Sequence, residues 1–437
     1  MNFCSTRRGV PEISASQALL QGLAPDGGLY VPQVYPRDIQ QADPTPILNS
    51  TPSNTSKNSG ATDCLRPYFE GDILAADLED IGLKAIDFDI PVVAPVGSGP
   101  WVLELYHGPT AAFKDVGARF LAECVTRLAQ SHSREYTILV ATSGDTGSAV
   151  AAAFANRPRT KVVILYPHGR VSPRQEKQLT VWGDNVRALS VAGTFDDCQA
   201  LAKKAFLDAR ATQAGLLSAN SINLGRLLPQ MTYYASSSKF IFSRTGQKAH
   251  YIVPSGNLGN AVAALWCRAL GYPIDQIVFA TNANCALSDY FQTGRWCGQA
   301  TKHTLANAMD VGTPSNMERV LDLYPSLEEL KSHTEVYSVS DDEIRLAISA
   351  EYRRSGRILC PHTATAFHVY HAFSKNRPGP WVAVATAHPA KFETVVEPLI
   401  QAEIKMPPSL GEIMGRTSRV ESISAEYRDL ERVLFSR

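Results

Sequence analysis

The sequence has no long hydrophobic run, no closely spaced cysteine pair and no excess of charge of either sign. Nowhere do about 18 consecutive apolar residues occur, so no membrane-spanning helix is expected. The first eight residues lack the apolar stretch of a secretory signal, and the eight cysteines lie far apart without a C-x-x-C motif. Forty-two basic residues offset forty-two acidic ones, so no global field attracts nucleic acid or an anionic membrane. We therefore expect a cytoplasmic protein with reduced thiols, and neither a disulfide scaffold, a metal site, a nucleic-acid partner nor a membrane anchor.

What the sequence does contain, from residue 136 onward, is a regular alternation of strand-like and helix-like segments. Helices are predicted over 196–210, over 223–242 and from Ser172-Pro173-Arg174-Gln175, where a cap, a helix-starting proline and a capping-box glutamine follow in order. The alternation predicts an α/β fold of mostly parallel sheets with helices on both faces. Ligands of such sheets bind at the carboxyl ends of the strands. The strand-like segments are short apolar runs rich in β-branched residues, at 136–142, 161–166, 186–191, 250–254, 276–281 and 381–386.

Residues 41–64 differ from their surroundings, because Pro, Ser, Thr and Asn dominate and little is available to bury. Such a composition cannot offset the entropy of ordering, so a flexible surface insertion is predicted here.

Lys114 follows a Gly/Pro turn in the segment HGPTAAFKD (107–115) and precedes a predicted helix over 116–128. Most lysines are simply exposed, which is the alternative interpretation of this one. Its place at the positive end of a helix dipole is unusual for a cation, however. With the apolar neighbours Ala112 and Phe113, its amine can have a lowered pKa, as a Schiff-base lysine requires.

Two glycine-rich loops each connect a strand to a helix, SGDTG (143–147) and SGNLGN (255–260). Each is either a tight turn or a cradle of backbone amides for an anion. The second loop fits neither the nucleotide P-loop nor the dinucleotide fingerprint. The last predicted strand ends at Thr386, which places a hydroxyl at the same sheet edge. A lysine, two anion cradles and a polar strand end together suit a phosphorylated cofactor that carries an amino acid.

A polar cluster opens the helix predicted over 223–242. It either caps the helix and faces solvent or binds a substrate phosphate, for which Arg226 is the best candidate because a guanidinium can pair bidentately. Three histidines, His107, His362 and His388, either transfer protons or only make structural hydrogen bonds. The cluster consists of Asn220, Ser221, Asn223, Arg226 and Gln230.

Four segments, at 107–120, 141–147, 254–259 and 386–392, resemble the signature segments of threonine synthases. These are fold-type II enzymes that use pyridoxal phosphate (PLP) to convert O-phosphohomoserine and water into threonine and phosphate. Further similar segments lie at 22–32, 218–223 and 307–311, and the resemblance runs from Met1 to about residue 400. It implies an N-terminal domain at 1–95, a two-lobed catalytic core at 96–437, and a monomer or homodimer.

The resemblance also implies the roles of individual residues. Lys114 would carry PLP as a Schiff base and shuttle protons, and Thr386 would lie near the pyridine nitrogen. Asp145, where related enzymes often have Asn, would lie near the phenolic oxygen of the cofactor. The cofactor phosphate would be cradled by Gly256, Asn257, Leu258, Gly259 and Asn260, with Leu258 in place of a common Phe. The substrate would be lined by Ser143, Gly144, Thr146, Asn220, Ser221 and Arg226.

Three alternatives stay open at this stage. One is a threonine-synthase-like phospholyase, which eliminates phosphate and deaminates, and another is an amino-acid dehydratase of the same fold. The third is a catalytically silent relative that binds or signals. Retention of Lys114 and of the phosphate loop argues against the third, because a silent protein needs neither.

Overall fold

The computed structural model describes residues 1–37 and 62–435. The insertion predicted at 41–64 lies outside this range except for its last three residues. For those three the prediction of a flexible surface segment is wrong: Thr62 and Cys64 are buried and a 3-10 turn covers Asp63–Leu65. Cys64 and Leu65 pack into the main apolar cluster, so the polar segment ends earlier than its composition indicates.

The chain forms strands and helices in an alternating order. The strands are β1 (Phe3–Ser5), β2 (Tyr30–Pro32), β3 (Val92–Val93), β4 (Trp101–Glu104), β5 (Tyr136–Ala141), β6 (Thr160–Pro167), β7 (Val186–Ala192), β8 (Leu216–Ser218), β9 (Ala249–Pro254), β10 (Ile274–Thr281), β11 (Thr334–Ser338), β12 (Trp381–Ala385) and β13 (Glu421–Ser424). The helices are α1 (Ala15–Gln21), α2 (Arg66–Phe69), α3 (Leu78–Ala85), α4 (Lys114–Ser131), α5 (Asp145–Phe154), α6 (Pro173–Thr180), α7 (Phe195–Leu207), α8 (Leu224–Leu227), α9 (Met231–Thr245), α10 (Gly259–Ala269), α11 (Ala286–Thr293), α12 (Met317–Leu323), α13 (Leu327–His333), α14 (Asp341–Ser355), α15 (Pro361–Phe373), α16 (Glu393–Ile400), α17 (Pro408–Met414) and α18 (Tyr427–Phe435).

Two large sheets form the two lobes of the core. One has five strands in the order β13-β7-β6-β5-β8, all parallel. The other has six strands in the order β11-β10-β9-β12-β4-β3, parallel except for the β3–β4 pair. Strands β1 and β2 form a separate antiparallel pair. The predicted α/β class, the two lobes and all six predicted strands are confirmed, whereas the domain boundary at residue 95 stays a prediction.

Burial on both faces explains why the strands have continuous apolar sequences. In β5, Ile138 and Val140 pack into the cluster formed with α4 and α5, while Leu139 and Ala141 pack on the other face against α7 and α18. Alternate residues of a strand point to opposite faces, so a sheet covered by helices on both sides needs apolar residues at every position.

The helix predicted over 223–242 is broken, which corrects that prediction. Helix α8 ends at Leu227, a 3-10 turn follows at Leu228–Gln230, and α9 begins at Met231. Pro229 has no N–H to donate to the carbonyl four residues earlier, so the helical ladder is interrupted there. The capping box at α6 is confirmed, because Ser172 and Gln175 cap each other. Within the described part of the chain, no helix is both long enough and apolar enough to cross a bilayer.

Candidate active site

The predicted site segments meet at the carboxyl ends of the two sheets. Strands β4 and β12 are parallel neighbours, with Glu104 opposite Ala385, so the segments that follow them run side by side. Phe113 N donates to Thr386 O at 2.8 Å, and His388 N donates to Ala111 O at 3.0 Å. These two hydrogen bonds fix the start of α4, where Lys114 lies, beside Thr386.

Lys114 is the first residue of α4 and is partly buried, with its ammonium 5.8 Å from the centre of the Phe113 ring. Burial lowers the pKa of Lys114 to about 8, although the Asp145 carboxylate opposes this change. The cations of Lys391 and Arg226 also contribute to this lowering, and about 8 is the resulting pKa. A lysine with this pKa is partly unprotonated near neutral pH, which is the state that forms a Schiff base.

In the loop between β9 and α10, Gly256 lies so close to the backbone of Met309 that only glycine fits there. A Cβ on Gly256 would lie 2.6 Å from Met309 Cα and 3.0 Å from Met309 O. Leu258 has a left-handed φ of 61° and is followed by the first turn of α10. Because first-turn N–H groups of a helix have no intrahelical acceptor, this loop can bind an anion.

Two asparagines of this loop are held by other parts of the protein. Asn257 Nδ2 donates to Ser221 Oγ at 2.6 Å, and Asn257 Oδ1 accepts from Ser315 N at 2.5 Å. Asn260 Oδ1 accepts from the hydroxyls of Tyr233 and Tyr234 at 2.6 and 2.8 Å. Asn260 therefore faces the buried tyrosines with its side-chain oxygen, while its Nδ2 has no hydrogen-bond partner among the described residues and is an unused donor.

The side chain of Thr142 holds the loop between β5 and α5. Thr142 Oγ1 accepts from the N–H groups of Gly144 and Gly147, both at 2.9 Å. Gly144 has φ of 134°, and a Cβ there would lie 2.8 Å from Gln175 Cδ. Ser143 and Thr146 are partly exposed and so can reach a small molecule. Asn220 donates from Nδ2 to Ala141 O at 2.9 Å, which brings it next to this loop.

Asp145, the first residue of α5, forms an ion pair with Lys391 that sequence reasoning missed. Lys391 Nζ lies 2.8 Å from Asp145 Oδ1, and the side chains are 0% and 3% exposed. Gln175 Nε2 also donates to Asp145 Oδ1 at 3.1 Å, in addition to the cap it forms on α6. Burial alone would raise the pKa of Asp145, but the cations of Lys391 and Lys114 outweigh it and hold that pKa well below its ordinary range. The only sequence signal was that Lys391 lies in the segment 386–392.

Arg226 is buried on α8 and packs against α4 at Gly117, where a Cβ would lie 3.1 Å from Arg226 Nε. Its Nη1 donates to Ala219 O, while Nε has no hydrogen-bond partner among the described residues. Burial lowers the pKa of Arg226 to about 10, against the opposing Asp115 carboxylate. A buried guanidinium with an unused donor is a good receptor for a phosphate or carboxylate.

The three candidate histidines differ in their surroundings. His362 is buried on α15, its Nε2 accepts from Ala308 N at 3.1 Å, and burial lowers its pKa to about 4. His388 Nδ1 accepts from Ala390 N at 3.1 Å, and burial likewise lowers its pKa to about 4. His107 Nε2 lies 2.9 Å from Glu104 Oε2. The first two rings are therefore neutral near pH 7 and have structural hydrogen bonds.

One buried arginine connects the β9–α10 loop to the N-terminal strands. Arg319 on α12 is 0% exposed and donates to Tyr30 O at 3.0 Å, Ile222 O at 2.8 Å and Asn316 Oδ1 at 2.7 Å. Asn316 Nδ2 in turn donates to Asn257 O at 2.9 Å. Strand β2, the segment before α8 and the β9–α10 loop are thus joined through two side chains.

Nearly the whole chain is similar to known PLP-dependent enzymes and threonine synthases. The family model "Pyridoxal-phosphate dependent enzyme" matches residues 81–387, and the models for the threonine synthase N terminus and C-terminal region match 2–85 and 363–434. The threonine synthase of Escherichia coli K12 is 37% identical over 431 residues, which are 97% of each chain. The crystal structure of threonine synthase from Escherichia coli has a TM-score of 0.88 at 34% identity and covers 99% of both chains. The PLP-bound threonine synthase from Brucella melitensis has a TM-score of 0.86 at 32% identity, covering 99% of this chain and 98% of that one.

Fold, site and family model together define a PLP-dependent enzyme of fold type II. The residues present fit the cofactor, since a lysine of lowered pKa lies beside a glycine loop that a Cβ would obstruct. The chain belongs to the threonine synthase family, whose members are lyases acting on a small-molecule substrate. The predicted family and cofactor are confirmed, and the roles of individual site residues stay predictions.

Proposed function

We propose that this enzyme converts O-phosphohomoserine and water into L-threonine and phosphate, with Lys114 as its catalytic residue. The observation that carries the proposal is the position of Lys114. It is partly buried at the start of α4, has a pKa lowered to about 8, and is fixed by backbone hydrogen bonds next to Thr386.

The β9–α10 loop would hold the cofactor phosphate through the backbone of Gly256, Asn257, Leu258, Gly259 and Asn260. Thr386, buried at the end of β12, would contact the pyridine nitrogen, and Asp145 would face the phenolic oxygen. When bound, PLP supplies an electron sink that stabilises negative charge on the substrate next to its amino-acid carbons. The buried surroundings of Thr386 and Asp145 keep water away from these contacts.

The chain's own residues would orient the substrate and move its protons. Ser143, Gly144 and Thr146 would receive the substrate carboxylate at the N-terminus of α5. Arg226, with Asn220 and Ser221 nearby, would bind the γ-phosphate through its unused Nε donor. Lys114 would act as general base and acid: it would remove the α-proton and then a β-proton, and after phosphate leaves it would return a proton to the γ-carbon. Addition of water at the β-carbon and return of a proton to Cα would then give threonine.

Isotope labelling tests the reaction. With O-phosphohomoserine in heavy water, threonine should carry solvent deuterium in its methyl group and at Cα, because both carbons receive a proton during turnover. Threonine and phosphate should form in equal amounts, with little 2-oxobutanoate. Release of 2-oxobutanoate and ammonia in place of threonine would contradict the proposal and identify a phospholyase.

Borohydride reduction tests the role of Lys114. Reduction of the holoenzyme should fix the cofactor to the peptide that contains Lys114, and an adduct on any other lysine would contradict the assignment. Lys114→Ala should lose the adduct and turnover while it keeps the circular dichroism of the parent, since the change removes chemistry and little core volume. Lys161→Ala, on an exposed position of β6 paired with Glu135, is the matched control and should behave as the parent.

A further inference from the structure

Lys391 is a fully buried lysine next to the site, and no predicted role accounts for it. It lies in a 3-10 turn at Pro389–Phe392, just after Thr386, and its side chain is 0% exposed. Its ammonium donates to Thr110 O at 2.9 Å and pairs with Asp145 Oδ1 at 2.8 Å. Burial of an ammonium is costly unless it is paired, and here the Asp145 carboxylate is the charge that pairs with it.

Thr110, the carbonyl partner of Lys391, belongs to the segment that leads into Lys114. Its N–H and hydroxyl donate to the two carboxylate oxygens of Asp115 at 2.9 and 2.6 Å. The Lys391 ammonium therefore joins the turn before Lys114 to the carboxylate at the start of α5. The two groups that it holds come from the two lobes, since one follows β4 and the other follows β5.

Among the described residues, four ionisable groups from four elements interact with Lys114. Asp145 on α5 favours the ammonium form of Lys114. Two cations disfavour that form, namely Lys391 in the 3-10 turn after β12 and Arg226 on α8. His362 on α15 interacts with the same charges and is neutral near pH 7 because burial lowers its pKa to about 4. Asp145 is thus the anion that stabilises a protonated Lys114, and Lys391 is the cation that offsets Asp145.

We propose that Lys391 is a positioning residue, which neutralises and holds the Asp145 carboxylate so that Asp145 does not pair with Lys114. Lys114 then stays available as a free amine. Without the Lys391 charge, the Asp145 carboxylate would stabilise the Lys114 ammonium and make it a poorer nucleophile and base. The importance of this effect rests on the proposed function, in which Lys114 carries the cofactor.

The test measures the reactivity of Lys114 in the full-length chain after the cofactor has been removed. The chain is labelled briefly with acetic anhydride between pH 6.5 and pH 9.5, and acetylation of Lys114 is quantified by peptide mass spectrometry. Only the free amine reacts, so the pH profile reports the pKa of this one side chain. In Lys391→Met we expect the profile to move to higher pH and labelling at pH 7 to fall at least about tenfold, which corresponds to one pKa unit.

Two further variants make the result specific. In Lys391→Met/Asp145→Asn both charges are gone, so the profile should return towards that of the parent. Lys161→Met removes the same charge from an exposed site and should leave the profile unchanged. An unchanged profile in folded Lys391→Met would overturn the proposal, and so would a double variant that stays shifted like the single one.

If Lys391→Met does not fold, the folding of the double variant Lys391→Met/Asp145→Asn tests the proposal. The proposal then requires the double variant to fold, because no unpaired buried carboxylate remains. A double variant that stays unfolded would mean that Lys391 serves packing alone, and the proposal would be overturned. Borohydride trapping at another lysine would contradict the proposed role of Lys114 as the cofactor-carrying residue. Acetylation of Lys114 would still show whether Lys391 affects its pKa, so failure of the proposed function and failure of this proposal are distinguishable.

Discussion

Replacing Gly256 by alanine perturbs the proposed phosphate loop at one atom. The added Cβ would lie 2.6 Å from Met309 Cα, 3.0 Å from Met309 O and 3.1 Å from Met309 C, all backbone atoms that cannot rotate away. Overpacking of this kind costs about 1–3 kcal/mol. An unfolding entropy of about 2.1 cal/mol/K per residue gives roughly 0.9 kcal/mol/K for 437 residues, so the melting temperature should fall by about 1–3 °C. If the loop shifts instead, the same energy appears as cofactor affinity weakened about 5- to 150-fold.

Gly259→Ala is the matched control, because its Cβ would meet nothing closer than 3.7 Å, from Asn316 Nδ2. Its cofactor-free form should melt at or slightly above the temperature of the parent, since alanine restricts the unfolded chain. Calorimetric melting of both variants without cofactor, together with absorbance titration with PLP, measures the two effects. If Gly256→Ala matches the parent in both melting temperature and affinity, the close approach to Met309 does not constrain the loop.

Three other perturbations have outcomes fixed by the structure or the sequence. Arg319→Met leaves Tyr30 O and Ile222 O without a donor and should lower the free energy of unfolding by about 3–5 kcal/mol. The exposed Arg345→Met should change it by less than about 0.5 kcal/mol, and equal denaturant midpoints for the two variants would refute this. Burial lowers the pKa of His362 to about 4, so its contribution to stability is complete above about pH 6.5 and is lost as the pH falls towards 4. In His362→Gln, the free energy of unfolding from denaturant titrations should therefore fall less steeply between about pH 6.5 and pH 4. An unchanged pH dependence would contradict the burial argument. Replacing residues 41–61 by a short Gly/Ser bridge should leave the melting temperature nearly unchanged, because their composition offers little to bury, whereas a drop of several degrees would show that they pack.

The sequence predicted the segments of the site better than the contacts between them. The strands were predictable because both faces of each large sheet are covered, which leaves runs such as that of β5 apolar at every position. The rule that ligands bind at the carboxyl ends of parallel strands placed Thr386 at the site. The proximity of Lys114 to it was implied only by the resemblance to threonine synthases, because β4, the strand before Lys114, was not predicted. The break at Pro229 was visible in the sequence, but the apolar spacing on either side of it favoured one long helix.

Pairings between distant side chains could not be predicted, because they depend on which strands become neighbours. Lys391 pairs with Asp145 only because the two lobes place the end of β12 beside the start of α5. Arg319 is a second example, because two of its three acceptors, Tyr30 O and Ile222 O, lie far from it in the sequence. No local sequence pattern distinguishes such a buried cation from one that faces water, so composition and spacing could not predict the contacts of Lys391 or Arg319.

The order of strands in the six-stranded sheet has a consequence for synthesis of the chain on the ribosome. Strand β12 lies between β4 and β9, with Ala385 opposite Glu104, so β4 emerges about 280 residues before its neighbour. At about 5–20 residues per second, the wait of β4 is roughly 14–56 s, and β9, which is made about 130 residues before β12, keeps an exposed edge for the later part of that time. An open strand edge pairs readily with other chains, so a nascent chain at this stage is a substrate for chaperones that shield such edges. Lys114 meets Thr386 only when this last central strand arrives, and the proposed cofactor site is therefore among the latest parts of the molecule to form.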